Sequence, residues 1–176
     1  MKLEFREINE ETKGLLPDKV YTFARDFDSD HRIRVAEIDP AYADGESLSR
    51  VYGTVYEAGL NCLVVEGERS GRTKYAAVVI PCGKRAALNA AVRRTLDVRK
   101  VSFADLDYVV QATGMEYGSI TPIGLPEDWT VLMDDSVFQH EQVIIGGGRV
   151  CSKITLPSEM FRKMKNAIVM EGLAKE

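Results

Sequence analysis

The sequence is poor in side chains that bind metals or form disulfides. Its two histidines, His31 and His140, stand far apart and match no metal-ligand spacing. The three cysteines, Cys62, Cys82 and Cys151, are odd in number and form no C-x-x-C pair, so free buried thiols are expected. We therefore expect neither a metal nor a cofactor. Cys62 is interpreted as a core residue rather than a nucleophile, because the strand around it is apolar and no histidine lies near it in the sequence.

Long apolar runs are also missing. No stretch approaches the roughly 18 residues of a membrane-spanning helix, and the opening residues, MKLEFRE, are too charged for a secretory leader. We expect a soluble protein, no membrane partner and a cytoplasmic location. The net charge of −4 argues against general attraction of nucleic acid, although basic residues cluster between Lys84 and Lys100. That cluster indicates either the solvated face of a helix or a phosphate-contacting patch beside a pocket.

The pattern of apolar residues predicts both strands and helices. Alternating or continuous apolar segments predict strands at residues 33–38, 61–66, 74–80, 130–134, 142–145 and 149–156. Amphipathic spacing and capping residues predict helices at about residues 17–27, 44–53, 84–96 and 102–114, and a final one after Pro157. The order lacks the strict βαβ alternation of a doubly wound fold. A mixed sheet with flanking helices fits it best.

Glycines gather in two places. Residues 111–124 read QATGMEYGSITPIG, and residues 146–148 are three consecutive glycines. Glycine lets backbone N–H groups approach a ligand closely, and successive N–H groups can bind an anion. From the residues alone, the first segment could equally be a structural loop and the second a wide hairpin turn.

A set of motifs extends this pattern along the chain. PCG at 81–83, an alanine-rich segment, RKV at 99–101, TG at 113–114, YGSITPIG at 117–124 and IGGGR at 145–149 follow one another in this order. Their order and spacing resemble the YbaK/prolyl-tRNA synthetase-associated family of aminoacyl-tRNA editing domains. The resemblance runs from about residue 61 to the C-terminal segment. It implies an α/β (mixed α+β) fold with a barrel-like mixed β-sheet and surrounding helices, in a single domain over residues 1–176. Residues 1–40 would form a divergent N-terminal part.

The resemblance also implies a site and a reaction. Family members hydrolyse the ester that joins a wrong amino acid to the 3′ end of a tRNA. Carried over, Asn61 and Gly118 would lie nearest the chemistry. The substrate-binding residues would come from both glycine segments: Tyr117, Ser119, Thr121, Pro122, Gly124, Gly146, Gly147 and Gly148.

Two positions depart from the family pattern. Asn61 stands where active members carry a lysine, and Lys153 falls near the family's later aspartate. An amide at 61 keeps a hydrogen-bond donor but loses the charge. Lys153 itself, as a strand lysine, is expected at the surface.

These departures leave more than one function open. The first is a deacylase that acts in trans on mischarged tRNA. The second is a catalytically impaired member of the same fold, which binds an aminoacyl-tRNA end, an amino acid or a protein partner without hydrolysis. A third, more remote function is the binding of a small molecule in the same pocket. The oligomeric state is not indicated by the sequence.

Overall fold

The computed structural model describes all residues from Met1 to Glu176. The strands are β1 (Arg6–Glu7), β2 (Arg34–Glu37), β3 (Leu60–Arg69), β4 (Arg72–Pro81), β5 (Arg85–Ala86), β6 (Lys100–Phe103), β7 (Thr130–Asp134), β8 (Gln142–Gly146), β9 (Ser152–Pro157), β10 (Ala167–Met170) and β11 (Ala174–Lys175). The α-helices are α1 (Asp18–Phe27), α2 (Gly45–Tyr52), α3 (Ala90–Leu96) and α4 (Leu106–Thr113). None of the helices is long and apolar enough to cross a bilayer.

The strands form three sheets. One has the order β1-β2-β9-β8 and is antiparallel throughout. Another has the order β10-β7-β4-β3-β6, in which β7 runs parallel to both β4 and β10. The small third sheet pairs β11 with β5. The mixed α+β class is thus confirmed, but the sheets are not closed into a barrel; a single parallel bridge between Gly59 and Ile144 joins the two larger ones.

The predicted strands at 61–66 and 74–80 lie in β3 and β4, which pair with each other as an antiparallel hairpin. Its turn is tight, because Ser70 and Gly71 alone reverse the chain with φ of 51° and 73°. Two left-handed residues in succession match the twist of the flanking strands. The strands therefore extend to ten residues each. Asn61 lies at the start of this hairpin, opposite Ile80.

The main core lies between the two larger sheets and α1. Residues 1–40 contribute Ile8, Leu16, Val20, Ala24, Ile33 and Val35 to it, and each is almost fully buried. The opposing side chains come from β4, β7, β8 and β9, which supply most of the remaining members of this cluster. The poorly matching first part of the sequence therefore packs in the same core as the glycine-rich part.

The predicted helix at 84–96 begins later than expected. The side chain of Asn89 accepts hydrogen bonds from the N–H groups of Ala91 and Val92 and so begins α3 at Ala90. The preceding residues Arg85 and Ala86 pair with β11 instead. Alanine-rich composition favours a helix only where no strand partner competes, and here the pairing prevails.

Two other helix boundaries also differ from the prediction. Asp105 rather than Ser102 caps α4, because Ser102 lies in β6 and pairs with Glu66. After Pro157 the chain forms a short 3₁₀ helix, Ser158–Lys163, and then enters β10, where Ile168 is 41% exposed rather than in the core. Parallel pairing with β7 holds this last segment extended.

Candidate functional site

A cavity of about 750 Å³ opens where the start of β3 meets the end of β8. Its wall also includes the beginning of α2, Cys82, the β6–α4 junction, the 117–120 loop and Lys153 of β9. A depression of about 730 Å³ beside Met1 and Tyr52 contains none of the predicted site residues. A depression of about 870 Å³ beside α1 contains only Gly124 of them, whereas the first cavity contains four, so the first cavity is the candidate site.

Four of the predicted site residues line this cavity: Asn61, Tyr117, Gly118 and Gly146. Asn61 is exposed there, and its Oδ1 accepts a hydrogen bond from the Cys82 thiol at 3.7 Å. The amide nitrogen of Asn61 is thus left to donate to a ligand. Gly118 has φ of +83° and no atom within 4 Å of the position of a Cβ, so its backbone faces open space.

The other predicted residues lie behind the cavity wall. Ser119 and Thr121 are 1% and 0% exposed, and neither hydroxyl has a hydrogen-bond partner. Pro122 is buried as well. Because these side chains point into the protein interior, they support the loop from behind. Their direct contact with substrate stays a prediction without support from the cavity geometry.

Three predicted glycines serve close packing. A Cβ on Gly124 would lie 2.8 Å from the Cα of Val20, and one on Gly148 would lie 2.8 Å from the ring of Pro17. One on Gly147 would overlap the side chain of Ser152. These glycines therefore let α1 and β9 approach the two loops, and none of the three lines the cavity.

Hydrogen bonds between the two glycine segments hold them together. The N–H of Gly148 donates to the carbonyl of Ser119 at 2.9 Å, and the N–H of Glu116 donates to the carbonyl of Gly148 at 2.8 Å. Gly146 lies so close to this loop that a Cβ would come within 2.8 Å of the Ser119 oxygen. The absence of a side chain at 146 thus allows the loops to meet and form one wall.

Lys153 is the main residue that sequence reasoning missed. It was expected at the surface, but it is only 9% exposed and lines the cavity. The expectation is wrong because β9 is an inner strand, between β2 and β8, and the face that carries Lys153 borders the cavity. Burial lowers the pKa of Lys153 from its usual 10.5, while Cys82 and Asp44 act in the opposite direction.

The thiols of the site are held in their protonated form. Burial raises the pKa of Cys62 to about 12, and Cys62 packs against the main core as expected. Burial also raises the pKa of Cys82, although Lys153 partly opposes this. A protonated thiol is a weak nucleophile, so the arrangement favours chemistry without a covalent cysteine intermediate. No group of three or more His, Cys, Asp or Glu side chains is placed to hold a metal ion.

Exposed apolar side chains surround the mouth of the cavity. Phe103, Leu106 and Tyr117 are 59%, 50% and 70% exposed, and all three contribute to its lining. They come from three separate elements, β6, α4 and the first glycine loop. The apolar spacing of α4 places Leu106 on the same face as the buried Val109 but does not show which part of that face stays uncovered.

No residue of the basic cluster lines the cavity. Lys100 pairs with Glu68 near the far end of β3, which places it roughly 23 Å from Asn61 at about 3.3 Å per residue. Lys84 and Arg85 both contact the C-terminal Glu176. The solvated-surface interpretation of the cluster therefore suits Arg99 and Lys100 better than a phosphate-contacting patch beside the pocket.

The mixed fold and the joined glycine loops agree with the motif resemblance to aminoacyl-tRNA editing domains. The chain belongs to this family: the family model described as "Aminoacyl-tRNA editing domain" matches residues 39–164. The resemblance seen in the motifs is thereby confirmed. The comparison with curated proteins gave no match.

Solved structures share the fold. A "hypothetical protein APE2540" superposes with a TM-score of 0.76 at 21% identity, covering 90% of this chain and 100% of the other. A "putative trans-editing enzyme for prolyl tRNA synthetase" gives 0.73 at 19% identity, with 90% and 95% coverage. A "Putative signal transduction protein" from Marinobacter aquaeolei VT8 gives 0.64 at 15% identity, covering 92% of this chain but only 31% of that longer chain.

Proposed function

We propose that this protein is an aminoacyl-tRNA deacylase that acts in trans, in the cytoplasm, on tRNA carrying a wrong amino acid. The observation that carries the proposal is the cavity, in an editing-family fold, whose wall brings together Asn61, Gly118 and Gly146. The solved trans-editing structure with the same fold supports the choice of substrate class.

The size of the cavity suits the end of a tRNA rather than a duplex. About 750 Å³ lies within the range of roughly 300–1,000 Å³ typical of small-molecule pockets. It can hold an aminoacyl group with its ribose, while the exposed rings of Phe103 and Tyr117 offer surfaces for the terminal base. Contact limited to one end agrees with a net charge of −4, which gives no general attraction to the tRNA body.

The reaction is hydrolysis of an ester. The oxygen of a water molecule forms a bond to the carbonyl carbon, and the carbonyl π electrons move to the carbonyl oxygen. When this tetrahedral oxyanion collapses, the bond to the ribose oxygen breaks, and that oxygen takes up a proton originating from the water. The products are the free amino acid and a tRNA with an intact terminal hydroxyl.

The chain's own groups can stabilise the charge that develops. Backbone N–H groups of the glycine loops and the amide of Asn61 can donate hydrogen bonds toward the oxyanion without becoming covalently attached. A neighbouring hydroxyl of the terminal ribose can guide the attacking water. Protonated Cys62 and Cys82 need take no part in bond formation.

The test is a deacylation assay with purified protein. A panel of tRNAs would include proline tRNA charged with proline and with amino acids of similar or smaller size, and tRNAs for other amino acids charged correctly and wrongly. We expect at least one mischarged tRNA to lose its amino acid faster than the uncatalysed rate, while its correctly charged counterpart does not. If every member of the panel decays at the uncatalysed rate, the enzymatic proposal fails.

The uncharged amide of Asn61 favours the alternative function, that of a non-catalytic binding protein. A non-catalytic member of the fold would bind an aminoacyl-tRNA end, an amino acid or a protein partner. Measuring tRNA and amino-acid binding in the same samples distinguishes the two. Binding without turnover would support the non-catalytic function, and binding with turnover would support the deacylase.

A further inference from the structure

Lys153 is the only lysine or arginine among the residues that line the cavity. Its side chain takes part in none of the four salt bridges and donates no hydrogen bond to another protein group. The side chain is 9% exposed and has no protein partner, while its Nζ is not fully buried and so stays accessible from the cavity. A cation held in a cavity wall without a protein partner is free to bind an anionic group of a ligand.

Lys153 and Asn61 lie on opposite sides of β8, whose residue nearest to Lys153 is Gly146. The parallel bridge joins Gly59, two residues before Asn61, to Ile144, two residues before Gly146, and both Asn61 and Gly146 line the cavity. Gly146 in turn pairs directly with Lys153. Side chains two residues apart on a strand share one face. Asn61 and Lys153 therefore face the same cavity from either side of a glycine that contributes no side chain between them.

The charges around the cavity are arranged unevenly. Asp44 and Glu46 contribute to its wall near the start of α2, while Lys153 approaches from β9. Both charges act on the Cys82 thiol: Lys153 lowers the pKa of Cys82, and Asp44 raises it. The acidic groups are too far to form a salt bridge with Lys153, so its positive charge stays available to a ligand oxygen that carries or develops negative charge.

We propose that Lys153 is the cation of this site and contacts the carbonyl oxygen of the bound aminoacyl ester from the β9 side. This inference rests on the proposed function. The ammonium group remains protonated throughout. It stabilises the oxyanion while water attacks and the ribose oxygen leaves, and Asn61 donates from the opposite wall. The charge that the family resemblance places at position 61 is thus supplied from position 153.

The first test uses steady-state deacylation kinetics of four proteins: wild type, Lys153→Met, Lys153→Arg and the double variant Asn61→Lys/Lys153→Met. Methionine keeps the length of the side chain and removes the charge. We expect Lys153→Met to lower kcat by about 100-fold or more, with a smaller effect on KM, as for removal of one oxyanion donor. Lys153→Arg should retain more activity than Lys153→Met. The double variant should recover roughly tenfold or more of the lost rate, because it returns a cation to the cavity from the other wall.

Lys74→Met is the matched control. Lys74 donates to the carbonyl of Leu96 and lies outside the cavity, so its loss should leave kcat unchanged. Thermal unfolding of each variant would show that it is folded. The proposal is overturned if Lys153→Met keeps kcat within about threefold of wild type. It is equally overturned if arginine at 153 is as inactive as methionine and Asn61→Lys gives no recovery.

A second measurement separates this inference from the proposed function. Calorimetry would follow the binding of aminoacyl-adenosine analogues with an amide in place of the ester, carrying glycine, alanine, proline or leucine. We expect binding to the wild type to weaken about tenfold in Lys153→Met and to recover in the double variant. If no mischarged tRNA is turned over but analogue binding still depends on Lys153, the deacylase proposal fails and Lys153 remains the cation of the site. If turnover occurs but neither kcat nor analogue binding changes in Lys153→Met, the deacylase proposal stands and the proposed role of Lys153 fails. If the wild type shows neither turnover nor analogue binding, both proposals fall.

Discussion

Lys153 stands directly opposite Gly146 in the antiparallel pair of β8 and β9, and Ala36 of β2 stands opposite it on the other side. Both neighbours are small, so neither covers the long side chain that lies between them. The lysine can therefore extend across the face of the sheet into the cavity. A residue type that normally ends in solvent becomes part of an enclosed site because of its two strand partners.

The buried lysine predicts a stability effect that depends on pH. Because the folded-state pKa of Lys153 lies below 10.5, the unfolded chain binds more protons than the folded chain between these two values. The cost of burying the charge is thus fully present below the folded-state pKa and is lost as the pH rises toward 10.5. Lys153→Met should be more stable than wild type by about 1 kcal/mol near neutral pH. Its advantage should shrink as the pH approaches 10.5.

Urea unfolding of both proteins at a series of pH values measures this difference. Asp44 stays ionised over the range, since hydrogen bonds from Ser47 lower its pKa from 3.8. Making both proteins in a Cys82→Ser background removes the titration of the neighbouring thiol. A stability difference that is constant with pH, or that grows toward alkaline pH, would contradict the prediction.

Gly118 and Gly114 form a matched pair that separates a cavity wall from a strained turn. Both have positive φ, +83° and +69°, and both have open space where a Cβ would lie, but only Gly118 lines the cavity. Valine at either position should cost about 1–2 kcal/mol of stability through backbone strain. Only Gly118→Val should abolish deacylation, because only its side chain would occupy the cavity. Equal activity losses in the assay would show that Gly118 has no special place in the site.

Thr121 and Thr113 test whether the first glycine loop uses its hydroxyl groups. Both residues are almost fully buried, but Thr113 donates to the carbonyl of Val109 and accepts from the N–H of Met115, whereas the Thr121 hydroxyl has no partner. Thr113→Val should cost about 1–3 kcal/mol in urea unfolding, while Thr121→Val should be neutral or stabilise by up to about 1 kcal/mol. A large loss of kcat in folded Thr121→Val would instead restore the predicted substrate contact.

Gly124 should be intolerant of even one methyl group. Its φ is +75°, and a Cβ there would meet the backbone of Lys19 and Val20 at 2.8–2.9 Å. Gly53 has a similar φ of +70° but nothing within 4 Å, so Gly53→Ala measures the backbone strain alone. We expect Gly53→Ala to cost about 1–2 kcal/mol and Gly124→Ala a further 1–3 kcal/mol or so, because α1 must move. If Gly53→Ala and Gly124→Ala unfold at the same denaturant concentration, α1 is not packed against this loop.

Local structure was predicted well wherever residues carried their own signal. Asp44 and Gly53 bound α2 as expected, with a carboxylate cap at one end and a left-handed glycine at the other. The hairpin of β3 and β4 and the end of α4 at Gly114 were also predictable from their patterns. Predictions failed where a distant partner decided the outcome, as for Arg85, which pairs with β11, and Ile168, which pairs with β7.

The candidate site, too, was predictable from the sequence only in part. The glycine segments and their order could be read from the sequence, and they indicated the family and the proposed class of reaction. Which face of each loop meets the cavity could not be read, because glycine, serine and threonine have the same local preferences whether they face solvent or packed atoms. The position of Gly124 against α1 and of Gly118 against open space follows from the approach of other elements.

The sequence by itself determined the set of groups available for chemistry: two glycine-rich loops, no metal-ligand spacing, and Asn61 at the position where the motif resemblance predicts a lysine. Only the tertiary structure decided where the positive charge of the site lies. Lys153 is distant from Asn61 along the chain, and nothing in the alternation of its strand distinguishes a lysine in water from one in a cavity. Its place in the cavity wall follows from its pairing with Ala36 and Gly146, and long-range strand pairing is a property of the folded chain as a whole.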